Sequence, residues 1–372
     1  MGETPLMSKP ETKGKLVFLE ALRIIACYFV IFNHTGMLGF FLFGEKPYGS
    51  FSFWLYLCIS IFCKMSVPLF FAMSGALLLT REQEPLGVLW KKRILKTAVT
   101  LVFFSLLYYL VEVYQGDQPL DISLFFGTLY SEKWSSALWF LYAYIAFLVC
   151  LPFLRSLVKS LETKHFIYMF SVALFCNSIR PVGDYLLFHG AYSLNSHLCI
   201  SWLSESIVLY PCLGYFLQHR LDIQRCGKSI VVLWIANIAS ILLVAYTTYR
   251  QILATGTCTQ SANQAFHSCF VMINCATLFL TAKYVFFKIK LAKWLEKIIV
   301  GLGGCTFGVY LIHMLFLYDV PIFSKLWSWL LWELKLNTML GTCVFCFIVM
   351  LVCCGITWVL KKIPVVKRLV GG

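Results

Sequence analysis

Ten long apolar runs dominate this chain, and no water-soluble fold hides that many. They fall at 16–42, 52–79, 94–113, 137–154, 166–178, 198–217, 230–246, 266–287, 298–317 and 339–360. About 20 apolar residues in a helix cross the hydrocarbon layer of a bilayer, where every backbone N–H and C=O has to be satisfied within the segment. The fifth run is short and the second long, and Lys64 with Pro68 predicts a bend or a membrane-surface start within the latter. Only 13% of the 372 residues are charged and 60% are hydrophobic, whereas a soluble domain keeps about a quarter charged. The expected fold is all-α: a polytopic membrane bundle of about ten helices at 16–360, with short tails at 1–15 and 361–372.

The net charge of +14 is distributed by topology. Alternate loops are rich in Lys and Arg, from Lys9, Lys13 and Lys15 through Lys91, Lys92, Arg93 and Lys96 to Lys361, Lys362, Lys367 and Arg368. The loops between them hold only Lys46, Lys133, Arg180, Arg250, Lys325 and Lys335. The positive-inside rule then places both termini in the cytoplasm. No compact basic module stands apart from the spans, so no nucleic-acid partner is expected. The first run is too long for a cleavable signal and carries Arg23. Most of the sixteen cysteines lie in apolar runs as packing residues. Cys343 and Cys346 have no charged neighbour to make a redox or zinc site, Cys258 and Cys269 are a candidate disulfide pair, and no metal-ligand spacing is present.

Three ionisable residues stand in the first run: Glu20, Arg23 and His34. Groups of this kind are expensive in hydrocarbon, and one retained there is a functional-site candidate. Arg23 and His34 are eleven residues apart, close to three helical turns, so they share a face about 16 Å apart along the axis. Glu20 and Arg23, three apart, also read as a neutralising pair on one helix. Glu205, in the sixth run, is a further carboxylate that is costly without a partner.

Several patterns line up in chain order. Glu20-Ala21-Leu22-Arg23 is followed by His34; Val67-Pro68-Leu69-Phe70-Phe71-Ala72-Met73-Ser74-Gly75 is an aromatic-rich run ending in Ser-Gly; Lys91-Lys92-Arg93 is a basic stretch. Leu138-Trp139-Phe140-Leu141-Tyr142 with Leu151-Pro152, and Gly308-Val309-Tyr310-Leu311-Ile312-His313, complete the set. In this the chain resembles acyltransferase family 3, multispanning membrane acyltransferases that modify envelope glycans and related acceptors. Lys64 stands where many relatives carry arginine, which favours a point-charge contact over a bidentate one. The hydrolase-like domain that some relatives append is not expected here.

The resemblance implies transfer of an acetyl or other short acyl group from cytoplasmic acyl-CoA, a co-substrate, to a hydroxyl of an envelope saccharide or lipid-linked precursor in a bacterial inner or plasma membrane. The expected donor site is Arg23, Lys64, Lys91, Lys92, Arg93 and Ser74, with cations holding the phosphates at the inner face. The expected acceptor site is Trp139, Tyr142, Glu205, Tyr310 and His313. His34, helped by Glu20 and Arg23, is the expected catalytic group: an imidazole takes a hydroxyl proton near neutral pH or carries the acyl group itself, and the general-base role asks less of the site. The alternative is a transporter of a saccharide or small molecule in a similar bundle. The residues do not distinguish among acceptors, acyl lengths or oligomeric states.

Overall fold

The structure, a computed structural model, describes residues 17–195, 198, 200, 203, 206–256 and 266–371. Helices joined by turns and loops, with no strand, make up the described residues. In chain order the helices are α1 Val17–Asn33, α2 Phe51–Cys63, α3 Ser66–Leu78, α4 Leu86–Gln115, α5 Ile122–Ser131, α6 Trp139–Ser160, α7 Thr163–Phe188, α8 Ser206–His219, α9 Gly227–Thr255, α10 Val271–Lys288, α11 Lys293–Asp319, α12 Pro321–Ser328, α13 Thr338–Leu360 and α14 Pro364–Val370. Among the described residues, eight segments are long and apolar enough to cross a membrane, counting α2 and α3 together as Phe51–Leu78. The first and sixth expected runs carry α1, of 17 residues, and α8, with 14 described residues.

The expected bend in the second run falls at Lys64–Met65, between α2 and α3. In an unbroken helix the Pro68 ring would meet the Lys64 carbonyl and leave it without its hydrogen bond; placed in the first turn of α3, Pro68 needs no N–H. Two helices stand where loops were expected. The segment 114–136 holds α5, whose first turn is capped by Asp121, a carboxylate accepting from the Ser123 and Leu124 amides. Beyond α11, α12 begins on Pro321 and leaves Ile322 exposed, and the π turn that follows it exposes Trp329 and Trp332. The seventh helix also runs past its apolar stretch, to Phe188.

Helix α1 is the centre of the bundle, packed against α2, α3, α10, α11 and α13, with Leu22, Ala26 and Ile31 fully buried. Backbones approach most closely where glycines permit it, the usual device when hydrocarbon supplies no drive to associate. A Cβ on Gly214 of α8 would stand 1.8 Å from the Ala72 carbonyl oxygen of α3, and one on Gly75 would stand 2.0 Å from that of Pro211. Gly303 does the same for α11 against Glu20 of α1.

At one end of the bundle, cations tie helices together. Arg155 is fully buried, its Nε donating to the Leu78 carbonyl and its Nη2 meeting Glu84 at 3.3 Å, while Arg93 meets the same carboxylate oxygen at 2.9 Å. Lys283 donates to the carbonyls of Leu217 and Gln218, and Arg220 to that of Leu161. Cations thereby satisfy carbonyls left over at helix C-termini. The opposite end carries α5 and α12.

Candidate active site

Two cavities open inside the bundle, one toward each end, and α1 and α3 contribute walls to both. The cavity at the basic end measures about 440 Å³. Glu20 and Arg23 of α1, Ser74 of α3, Lys92, Arg93 and Lys96 of α4, and Lys361 beyond α13 line it. Arg23 donates through Nη1 to Glu20 Oε1 at 2.9 Å, and Glu20 Oε2 is buried with no partner among the described residues. The carboxylate thus fixes one edge of the guanidinium from inside the wall. Lys96 donates to the Gly371 carbonyl at 2.6 Å, and Lys361 donates to that of Gly304. The Ser74 hydroxyl donates to the Phe70 carbonyl of its own helix, the bond of a packing serine rather than of a nucleophile.

The cavity toward the other end is larger, about 820 Å³. His34 enters its wall just past the last turn of α1, beside Asn33, Lys64, Trp139, Asn177 and Arg180. Asn33 donates to the Cys63 carbonyl and the Ser66 hydroxyl, stitching the end of α1 to the α2–α3 break. The Lys64 ammonium stands 5.7 Å from the Phe40 ring centroid, within cation–π range. The Tyr318 hydroxyl donates to the His34 carbonyl, fixing the backbone that carries the imidazole. Behind it lies fully buried His313, with ring centroids 5.4 Å apart. His313 Nδ1 stands 2.8 Å from the Tyr310 carbonyl, and its Nε2 has no partner among the described residues. A carbonyl is only an acceptor, so Nδ1 carries the proton and Nε2 presents a lone pair.

Two π turns border these cavities, and a third carries the tyrosine that bonds the His34 backbone. Trp90–Ile94 brings Lys92 and Arg93 into the basic wall, and Phe175–Ile179 brings in Cys176, Asn177 and Ser178 with Arg180 following. Leu315–Asp319 carries Tyr318. Single π turns inside α-helices concentrate at functional sites because each re-aims the side chains that follow it.

The expected site divides accordingly. Glu20, Arg23, Ser74, Lys92 and Arg93 meet in the basic cavity, while His34 and Trp139 meet in the other. Other expected residues stand elsewhere than that grouping placed them. Lys64 belongs to the histidine cavity, because it precedes Ser74 by ten residues on a chain running toward the basic end. Lys91 is exposed and outside the basic wall. Tyr310 lines the basic cavity, not the acceptor side, and its hydroxyl donates to the Ala137 carbonyl at 2.7 Å. Tyr142 lines neither cavity; its hydroxyl donates to the Leu129 carbonyl and links α6 to α5. Glu205 and Cys258 lie outside the described residues. His313 lines neither cavity and reaches the site through His34.

Sequence reasoning missed Lys96, Lys361, Asn33, Asn177 and Arg180 as wall residues. It also missed fully buried His267, whose ring nitrogens have no partner among the described residues and whose ring stands 6.3 Å from that of Phe40. The basic residues were visible as loop charges, but nothing in their spacing told which would turn inward.

No curated protein and no solved structure matches this chain. A family model described as an acyltransferase domain matches residues 16–358, nearly the whole bundle and every motif from Glu20 to His313. The chain therefore belongs to acyltransferase family 3, a family of membrane acyltransferases.

Proposed function

We propose that the protein moves a short acyl group from acyl-CoA, held at the basic end, to a hydroxyl of a saccharide or lipid-linked acceptor in the histidine cavity. The observation that carries this reading is the arrangement along α1: a cationic cavity at one end, an imidazole in a second cavity at the other, and walls in common between them. The basic excess in alternate loops supports a cytoplasmic basic end, the side from which acyl-CoA arrives. Arg23, Lys92 and Arg93 are the phosphate contacts, in a site only partly open to water where charge pairs are stronger than at a surface. The arm then extends along α1 toward His34.

His34 acts as general base. It takes the acceptor's hydroxyl proton as the oxygen attacks the thioester carbonyl; the new C–O bond replaces C–S, and the proton passes to the departing thiolate. Lys64 adds positive charge in the same wall, where the carbonyl oxygen becomes anionic. Trp139 offers an apolar face for a sugar ring. A transporter has no use for a base opposite a cationic rim.

Purified wild type and His34→Ala, supplied with acetyl-CoA and assayed for thiol release with and without glycan acceptors, test this. Loss of the base lowers turnover about 10²–10⁴-fold while CoA still binds. Equal consumption by both proteins would remove His34 from the chemistry.

A further inference from the structure

The two cavities have two wall residues in common, Val30 of α1 and Val67 of α3. We infer that this valine pair forms the neck between the donor and acceptor chambers and selects which acyl chains reach His34. The inference rests on the functional reading above and adds to it the residues that set donor specificity.

Helical spacing puts the pair on the line of travel. Arg23 and Val30, seven residues apart, project from one face of α1, and His34 follows four residues on, just past the helix end. Val67, Phe70 and Ser74 follow at i, i+3 and i+7 on α3, which packs against α1. Val30 lies one turn from His34 and two turns from Arg23. A chain that starts at the Arg23 wall and ends at His34 inside the bundle passes between these side chains.

Their chemistry suits a fixed aperture. Val30 is 4% exposed and Val67 half-buried. Both are β-branched and stiff at χ1, with one strongly preferred rotamer in a helix, so neither swings aside as a leucine or methionine would. Neither offers a hydrogen bond, so the neck sorts by girth and length alone. In a thioester donor the acyl group leads and the unbranched cysteamine end of the arm follows. The acyl chain is therefore what the neck tests, and one surplus methylene in a rigid apolar site is discriminated about 10-fold or more.

The test compares acetyl-, butyryl- and hexanoyl-CoA as donors to wild type, Val30→Ala, Val67→Ala and Val67→Phe, reading thiol release and, separately, protection from heat denaturation by CoA. Val67 is only half-buried, so its variants retain the fold, and CoA protection reports that they do. The expected result is a rise of at least about 10-fold in the butyryl-to-acetyl ratio of kcat/KM for either alanine variant. For Val67→Phe the expectation is loss of turnover with every donor while CoA protection persists. Alanine variants whose donor ratios stay within about twofold of wild type, or a Val67→Phe enzyme turning over normally, overturn the neck and leave the acyltransferase reading intact. A wild type that binds CoA yet releases no thiol from any donor overturns both.

Discussion

Removing Arg23 tests the proposed donor site most sharply, because the wall left behind is hostile to the same ligand. Arg23 donates to Glu20 at 2.9 Å, with side-chain exposures of 31% and 7%. Arg23→Ala deletes a charge-assisted contact worth about 1.5–3 kcal/mol. The open side of the guanidinium admits water, which holds the loss near the lower end of that range. Glu20 then remains as a nearly buried carboxylate whose second oxygen has no partner among the described residues. It faces an incoming phosphate without the cation that screened it. With a factor of ten for each 1.4 kcal/mol, CoA binding weakens about 10–30-fold. Glu20→Gln placed on top of Arg23→Ala removes the repelling charge and restores about threefold or more, so the two changes are coupled rather than additive. Because Arg23 is about 16 Å from His34 along the axis, kcat holds to within about threefold while KM carries the effect. Equilibrium dialysis of CoA against the detergent-purified variants measures the binding, and thiol release measures kcat. If the double variant binds CoA no better than Arg23→Ala, or Arg23→Ala binds as wild type does, the Glu20–Arg23 edge is no part of a phosphate site.

Packing and pH supply the other predictions. Gly214→Ala drives a Cβ to within 1.8 Å of the Ala72 carbonyl, a backbone atom that cannot rotate away, and costs about 1–3 kcal/mol by overpacking. Gly355→Ala in α13 meets nothing within 4 Å and gains about 0.5–1 kcal/mol from helix propensity; thermal unfolding in detergent should shift in opposite directions for the two. Burial pushes the Glu84 carboxyl up, but the Arg93 hydrogen bond and charge and the Arg155 charge outweigh it and hold the group below its ordinary value of 4.5. A depressed folded value means that Glu84 stabilises the fold above 4.5 and loses that contribution as pH falls toward and through the lowered value. The melting-temperature gap between wild type and Glu84→Gln should therefore be full at pH 7 and close on acidification below 4.5; a gap that widens in acid contradicts the assignment.

The helices were legible because hydrocarbon leaves so few options. A run of about 20 apolar residues has to be a helix, and Lys64 with Pro68 pointed to a bend or surface start where the break at Lys64–Met65 falls. Helices α5 and α12 escaped notice because their apolar stretches are too short to span. Signals were nevertheless present, in Asp121 as a cap and Pro321 at a helix start. The π turns left no such trace. One extra residue in a helical turn changes no composition and breaks no periodicity strongly enough to see, yet it decides that Lys92 and Arg93 face the cavity while Lys91 does not.

Chain direction explains how the expected site residues divide between the two cavities. Grouping Lys64 with Arg23, Lys92 and Arg93 followed charge, whereas depth in the membrane depends on how far along its helix a residue stands and which way that helix runs. The second span runs toward the basic end, so Lys64 stands about 15 Å short of Ser74 along a helical axis, which puts it level with His34. The same arithmetic separates Tyr310 from His313. Three residues along α11, about 4.5 Å, carry the chain from the basic cavity to the ring against His34. Lys64 and Ser74 stand on either side of Val67 along the second span. The family's motifs therefore sample two cavities, and in the proposed function the division between those cavities, more than any single charged residue, is what separates donor from acceptor.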